Sequence, residues 1–304
     1  MTWYEKLDKV IGDYLPDLPM ERDVPMDRFT SFRIGGPARR LACPKNREQL
    51  VILMALAREC GARPFIMGNG TNLLIPDKGL DRLVIRTAGE MSDVRLTGET
   101  VIEADAGISL SRLALFAQSQ ALTGLEFAHG IPGSLGGAVF MNAGAYGGEM
   151  KQVVQEVIVL TEDGIRHIPG AECAFGYRKS AFSDGKTVIL GAKLHLKKGD
   201  PAQIRDKMAE LMAKRKASQP LEYPSAGSTF KRPEGYYAGT LIQETGLKGL
   251  TVGGAQVSEK HAGFVINTGG ATCADVMALI AQVQDRVMQR SGVHLEPEVR
   301  IIEN

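Results

Sequence analysis

Tyr4, Leu7, Val10, Ile11 and Leu15 recur close to the helical period and predict an opening helix. A second helix is predicted from Asn46, a residue type that caps helix starts. It runs through Leu50, Leu53, Met54 and Ala57 to Gly61, which suits the position just past a helix end. The short apolar runs 64–67, 83–85 and 101–104 read as strands, and another helix begins near Ser109. Between 152 and 196 the pattern is strand-like, over 153–160, 165–168 and 187–196. Asp200-Pro201 then opens a helix, because Asp caps well and Pro lacks an N–H that the first turn leaves unsatisfied anyway. Ile204, Met208, Leu211 and Met212 form its apolar stripe, and Lys214, Arg215 and Lys216 suit the negative end of its dipole. The stretch 218–235, with Pro220, Pro224 and Pro233, keeps neither period and marks a domain boundary. Beyond it come a helix near 237–244, an apolar stretch at 262–266 and a long helix. That last helix is opened by Thr272, with Asp275 at capping-box spacing. Its buried face is Val276, Leu279, Ile280, Val283 and Val287, Gly292 stops it, and a strand at 299–302 ends the chain. Strands and helices mixed without regular alternation predict an α+β fold.

Composition narrows the function. The 304 residues fit about two domains with real cores, and 36 Lys plus Arg against 35 Asp plus Glu give a net charge of +1. That balance gives no reason to expect nucleic acid or an anionic membrane as partner. Cys43, Cys60, Cys173 and Cys273 are widely separated and fit buried thiols of a reducing compartment. The five histidines show no metal-ligand spacing, so no metal site is expected. Glu5, Lys6, Asp8, Lys9 and Asp13 exclude a secretory signal at the start. The longest apolar run, 50–57, is far short of the ~18 residues that span a bilayer. The chain therefore reads as cytoplasmic, with no membrane insertion.

The 35 glycines exceed ordinary usage, and two clusters hold much of the excess. One is Gly68-Asn69-Gly70-Thr71-Asn72, directly after a predicted strand. The other is Gly130-Ile131-Pro132-Gly133-Ser134-Leu135-Gly136-Gly137-Ala138, continuing to Asn142-Ala143-Gly144-Ala145. Successive backbone N–H groups in such turns form a concavity for an anion and need few lysines to do so. The first cluster departs from the Rossmann fingerprint, with Leu73 in place of the third Gly, and the chain contains no P-loop. Tight turns in a β-rich protein would account for an isolated cluster; two together favour a dinucleotide-type cofactor.

At these residues the chain resembles the UDP-N-acetylenolpyruvoylglucosamine reductases. The resemblance is carried by Thr30-Ser31-Phe32-Arg33-Ile34-Gly35-Gly36-Pro37-Ala38, both glycine clusters, Gly176-Tyr177-Arg178-Lys179-Ser180, Gly227-Ser228-Thr229-Phe230-Lys231-Arg232-Pro233 and Leu295-Glu296-Pro297-Glu298-Val299-Arg300. The motifs run in order over nearly the whole chain. Length and the Phe-Lys-Arg-Pro run resemble the shorter form, which lacks an extra substrate-covering loop. The resemblance implies a vanillyl-alcohol-oxidase-type FAD-binding domain of two lobes plus a smaller α+β substrate-binding domain. The FAD domain would span 1–217, with lobes of about 1–90 and 91–217. The substrate domain would span 218–304, its last strand able to pack back on the first lobe.

The implied reaction is NADPH-dependent reduction of the enolpyruvyl ether of UDP-N-acetylglucosamine to UDP-N-acetylmuramate, in cell-wall precursor synthesis. FAD would be held by Gly68, Asn69, Gly70, Thr71, Asn72 and Leu73 in the first cluster. In the second it would be held by Gly130, Ile131, Pro132, Gly133, Ser134, Gly136, Gly137, Ala138, Asn142, Gly144 and Ala145. The first cluster contains no His, so the flavin is expected to be non-covalent; His129 is the nearest candidate for an exception. Adding hydride to the alkene leaves a carbanion beside a carboxylate. It calls for a fixed cation, a hydrogen-bond donor to the carboxylate and a proton donor to carbon. The family motifs put Arg178, Glu298 and Ser228 in those roles, although by residue type alone each would pass for a surface or turn residue. Lys231, Arg232 and Lys248 are placed toward the diphosphate, Gln243 and His261 toward the substrate, and Tyr177 beside the flavin. The alternatives are another flavin oxidase of the same superfamily and a non-redox nucleotide-sugar binder.

Overall fold

The computed structural model describes residues 1–303. Seven α-helices are present among them: α1 (Trp3–Tyr14), α2 (Arg47–Glu59), α3 (Leu110–Ser119), α4 (Leu135–Met141), α5 (Pro201–Ser218), α6 (Ala238–Glu244) and α7 (Cys273–Ser291). Their starts follow local chemistry. Asn46 and Ser109 accept N–H bonds from Gln49 and Arg112, and Asp200 accepts from Ala202. Thr272 and Asp275 close the capping box expected of them, and Gly292 ends α7 at φ 69°. Each cap satisfies N–H groups that no earlier turn can reach.

The chain groups into two compact units. One comprises residues 1–21, 40–69 and 82–215; the other comprises 22–39, 70–81 and 216–304. In the first, Pro64–Met67 pairs in parallel with residues 83–86 of Leu80–Arg86. A five-stranded antiparallel sheet has the order Gly164–Pro169, Val154–Thr161, Val188–His195, Val101–Asp105, Val94–Leu96. Helices α1–α5 and these strands enclose a core that includes Leu7, Leu53, Ile85, Ile102, Leu113, Leu135 and Val157.

The second unit has its own core, with Phe32, Ile34, Leu74, Phe230, Val265, Leu279 and Val283. Its sheet runs in the order Ser225–Ser228, Phe264–Asn267, Ala255–Val257, Thr251–Val252. Arg300–Ile301 pairs in parallel with Leu73–Leu74, and Asp77 caps α7 through the N–H groups of Cys273 and Ala274 at 2.7 and 3.1 Å.

The strands Met20–Pro25 and Pro37–Ala42, and helix α4 inside the second glycine cluster, are elements that the apolar pattern does not reveal. Of the four thiols, Cys43 is only half-buried. Burial pushes Cys173 and Cys273 up to about 11, which leaves them unreactive near neutral pH. Among the described residues, no helix is long and apolar enough to cross a membrane.

Candidate active site

The two glycine clusters meet. Asn69 Nδ2 donates to the Pro132 carbonyl at 3.0 Å, and a Cβ built on Gly68 would lie 2.0 Å from Ser134 Oγ. Among the described residues, the N–H groups of Asn69, Gly70, Thr71 and Asn72 donate to no protein acceptor. Four successive N–H groups are thus left open, and such groups could serve an anionic ligand.

The second cluster contributes differently. The N–H groups of Leu135 and Gly136, which open α4, donate to Ile108 and Ala106, so this helix start is committed to protein. Gly136 is needed for packing, because its Cβ would fall 2.9 Å from that of Ala106. Ala138 is buried, and Leu73 is a buried strand residue. Gly144 and Ala145 pair with Glu149 and Gly148 in a small hairpin. Gly137, by contrast, is exposed. His129, just ahead of the cluster, has a buried Nδ1 with no partner among the described residues, and burial pulls its pKa down. Burial thus favours its neutral form.

Arg178 stands on a tight turn in the first unit. The N–H and carbonyl of Gly176 exchange bonds with those of Lys179, and Arg178 itself is held at φ 55°. Its guanidinium carbon lies 5.1 Å from the Tyr177 ring centroid, a cation–π contact, and Tyr177 is largely exposed.

Ser228 and Glu298 belong to the second unit, and Thr229 joins them. The Thr229 carbonyl accepts from the Glu298 N–H at 2.8 Å, and its own N–H donates to Gly263. The Thr229 hydroxyl accepts from Val265 N–H at 2.9 Å. Ser228 pairs with Phe264 across the sheet, next to a register shift. The Glu298 carbonyl in turn accepts from Asn72 Nδ2 at 3.1 Å, which ties the first cluster to the carboxyl-bearing segment. Burial pulls the pKa of Arg300 down. Thr229 is 2% exposed and escapes the sequence pattern; the one available sign was a hydroxyl residue between Ser228 and an apolar Phe230.

The remaining substrate candidates are more scattered in character. Lys231 pairs with Glu296, Arg232 stacks on Tyr237 at 4.5 Å, and Lys248 is half-buried. Gln243 lies on an exposed position of α6. His261 Nδ1 accepts from Gly263 N–H at 3.1 Å, and burial foremost lowers its pKa, which favours the neutral ring.

The crowding at Gly68 gives a direct test of the shared cradle. Gly68→Ala is expected to lower FAD retention by roughly tenfold, and Ser134→Ala in the same chain to recover part of it, measured by flavin fluorescence on dilution. Unchanged retention in Gly68→Ala would detach this glycine from cofactor binding.

Two family profiles match this chain. Residues 219–302 match the family profile described as UDP-N-acetylenolpyruvoylglucosamine reductase, C-terminal domain, and residues 38–168 match one described as FAD binding domain. A UDP-N-acetylenolpyruvoylglucosamine reductase of Caldanaerobacter subterraneus subsp. tengcongensis is 51% identical over 279 residues, covering 91% of this chain and 92% of that protein. Its counterpart in Clostridium perfringens is 46% identical over 303 residues, 99% of each. The crystal structure of the Thermus caldophilus reductase of that name superposes with a TM-score of 0.82 at 38% identity, covering 94% of this chain and all of that one.

Proposed function

This chain belongs to the UDP-N-acetylenolpyruvoylglucosamine reductases, and from that membership we propose how its residues divide the work. The protein is an FAD-dependent oxidoreductase that reduces UDP-N-acetylglucosamine enolpyruvate to UDP-N-acetylmuramate for peptidoglycan synthesis. When bound, FAD supplies hydride transfer, from NADPH as the proposed donor to the terminal alkene carbon of the substrate. The first glycine cluster would hold its diphosphate through the open N–H groups of residues 69–72. Residues 1–217 are assigned to the cofactor, residues 218–304 to the sugar nucleotide, and the reaction to the cytoplasm.

The chain's own task is to stabilise and quench the carbanion left beside the substrate carboxylate. Arg178 matches that carboxylate with a rigid two-pronged donor and a full charge. Glu298, protonated, donates a second hydrogen bond to it, and Ser228 delivers the proton to carbon. A serine hydroxyl is a weak acid, so this step works only against a strongly basic carbon in a site poor in water. The observation that carries the assignment is the bond from Glu298 N–H to the Thr229 carbonyl, which sets the carboxyl residue against the neighbour of Ser228. Lys231, Arg232, Lys248, Gln243 and His261 are proposed substrate contacts, and Tyr177 a neighbour of the flavin.

Purified protein is expected to be yellow and to oxidise NADPH only when the enolpyruvyl sugar is present. A preparation left colourless after incubation with FAD would point to a non-redox nucleotide-sugar binder. NADPH consumption driven by oxygen alone would point to a flavin oxidase.

A further inference from the structure

Asn142 is 1% exposed and stands at the end of α4 with φ 43° and ψ 55°, a left-handed conformation that Asn tolerates better than most residues. Its amide is fully committed to protein. Oδ1 accepts from Lys151 N–H at 2.9 Å, while Nδ2 donates to Glu149 Oε2 at 3.0 Å and to the Gly176 carbonyl at 3.1 Å. An N–H can only donate and a carbonyl can only accept, so these partners fix which way the amide faces. Two residues before Asn142, the Phe140 carbonyl accepts from Ser180 Oγ at 2.8 Å, and Ser180 is buried. The end of α4 therefore grips the 176–180 turn at both ends. Between those grips lies Arg178, in a left-handed conformation that costs an L-residue free energy and persists only where its surroundings impose it.

We infer that Asn142 is a positioning residue for Arg178: its amide holds the Gly176 carbonyl and so sets where the guanidinium stands, in place of the direct cofactor contact the glycine cluster first suggested. The inference rests on the role of Arg178 proposed above. Asp at this position keeps the acceptor for Lys151 but cannot donate to Gly176, and Gly keeps the backbone conformation but loses the amide.

The test uses FAD-loaded full-length protein carrying Asn142→Gly or, should that variant not fold, Asn142→Asp. Bleaching by NADPH and FAD retention are expected to stay within about twofold of wild type. Reoxidation by the enolpyruvyl sugar is expected to slow roughly 10- to 100-fold, the scale that misplacing a catalytic group costs. In an Arg178→Ala background the same change should add nothing, because two residues acting through one group are not additive. Equal slowing of bleaching, or loss of FAD, would make Asn142 a cofactor or folding residue and overturn the inference. Additive losses with Arg178→Ala would overturn it as well. Normal reoxidation in Asn142→Gly beside slow reoxidation in Arg178→Ala defeats this inference alone, whereas normal reoxidation in Arg178→Ala defeats the role of Arg178 and this inference with it.

Discussion

Ser228→Ala enzyme will bleach with NADPH at close to the wild-type rate and then stay bleached when the enolpyruvyl sugar is added, its reoxidation slowed by roughly 10²–10⁴-fold. The physical reason is the order of events at the substrate. Reduction of the flavin by NADPH asks nothing of a group that acts on the enolpyruvyl carbon. Quenching the carbanion asks for a proton, and alanine has none to give. The fold should survive, because Ser228 is half-buried on a strand whose neighbour Thr229 makes the structural bonds to Gly263, Val265 and Glu298. Stopped-flow absorbance separates the two half-reactions, and a variant with both intact would remove Ser228 from the chemistry.

Arg47→Ala is expected to cost about 3 kcal/mol in stability at pH 8 by the usual scale for a broken, largely buried ion pair. The Arg47 guanidinium bonds Asp105 at 2.6 Å and Glu103 at 2.9 Å, and both acid side chains are 9% exposed. Arg95, 66% exposed, adds a weaker hold on Glu103 at 2.8 Å. Burial foremost raises the pKa of Asp105, with Arg47 opposing it. A carboxyl whose folded pKa exceeds its unfolded value binds more protons in the folded state, so it costs stability as pH rises through that window. Removing Arg47 raises the folded value further, and the deficit should shrink as pH falls and the acids are neutralised. Urea unfolding at pH 8 and pH 5 measures both parts. A loss under about 1 kcal/mol at pH 8 would show that water reaches these acids. The network also underlies the second glycine cluster, since Asp105 leads into Ala106 and Ile108, whose carbonyls hold the start of α4.

These examples show where sequence was readable. Asn46, Ser109, Thr272 with Asp275, and Gly292 act on N–H or carbonyl groups within a few residues, so their helices could be predicted from local pattern. Helix α4 could not: its sequence Leu135-Gly136-Gly137-Ala138-Val139-Phe140-Met141 has low helix propensity, and its start is fixed by carbonyls some thirty residues earlier in the chain. The strand Pro37–Ala42 was hidden because Arg40 looks unsuited to burial. It is 5% exposed and tolerated through paired bonds of 2.7 Å to the two oxygens of Asp8. The site shows the same limit. The glycine clusters and the motifs around Arg178, Ser228 and Glu298 are legible as short strings. Thr229 and Asn142 stand inside those strings, but what they hold is not legible there, because each finds its partners far along the chain, as Asn142 does in Gly176.

The second unit is assembled from three separated stretches, 22–39, 70–81 and 216–304. On the ribosome, its first two stretches emerge long before the last and must wait without their core. A fragment starting at residue 216 would lack Leu73–Leu74, the partner of its final strand, and Asp77, which caps its longest helix. The unit cannot be cut out at one site as a free-standing module. A truncation that removes residues 273–301 strips the sheet and helix partners from Leu73, Leu74 and Asp77, which are made much earlier.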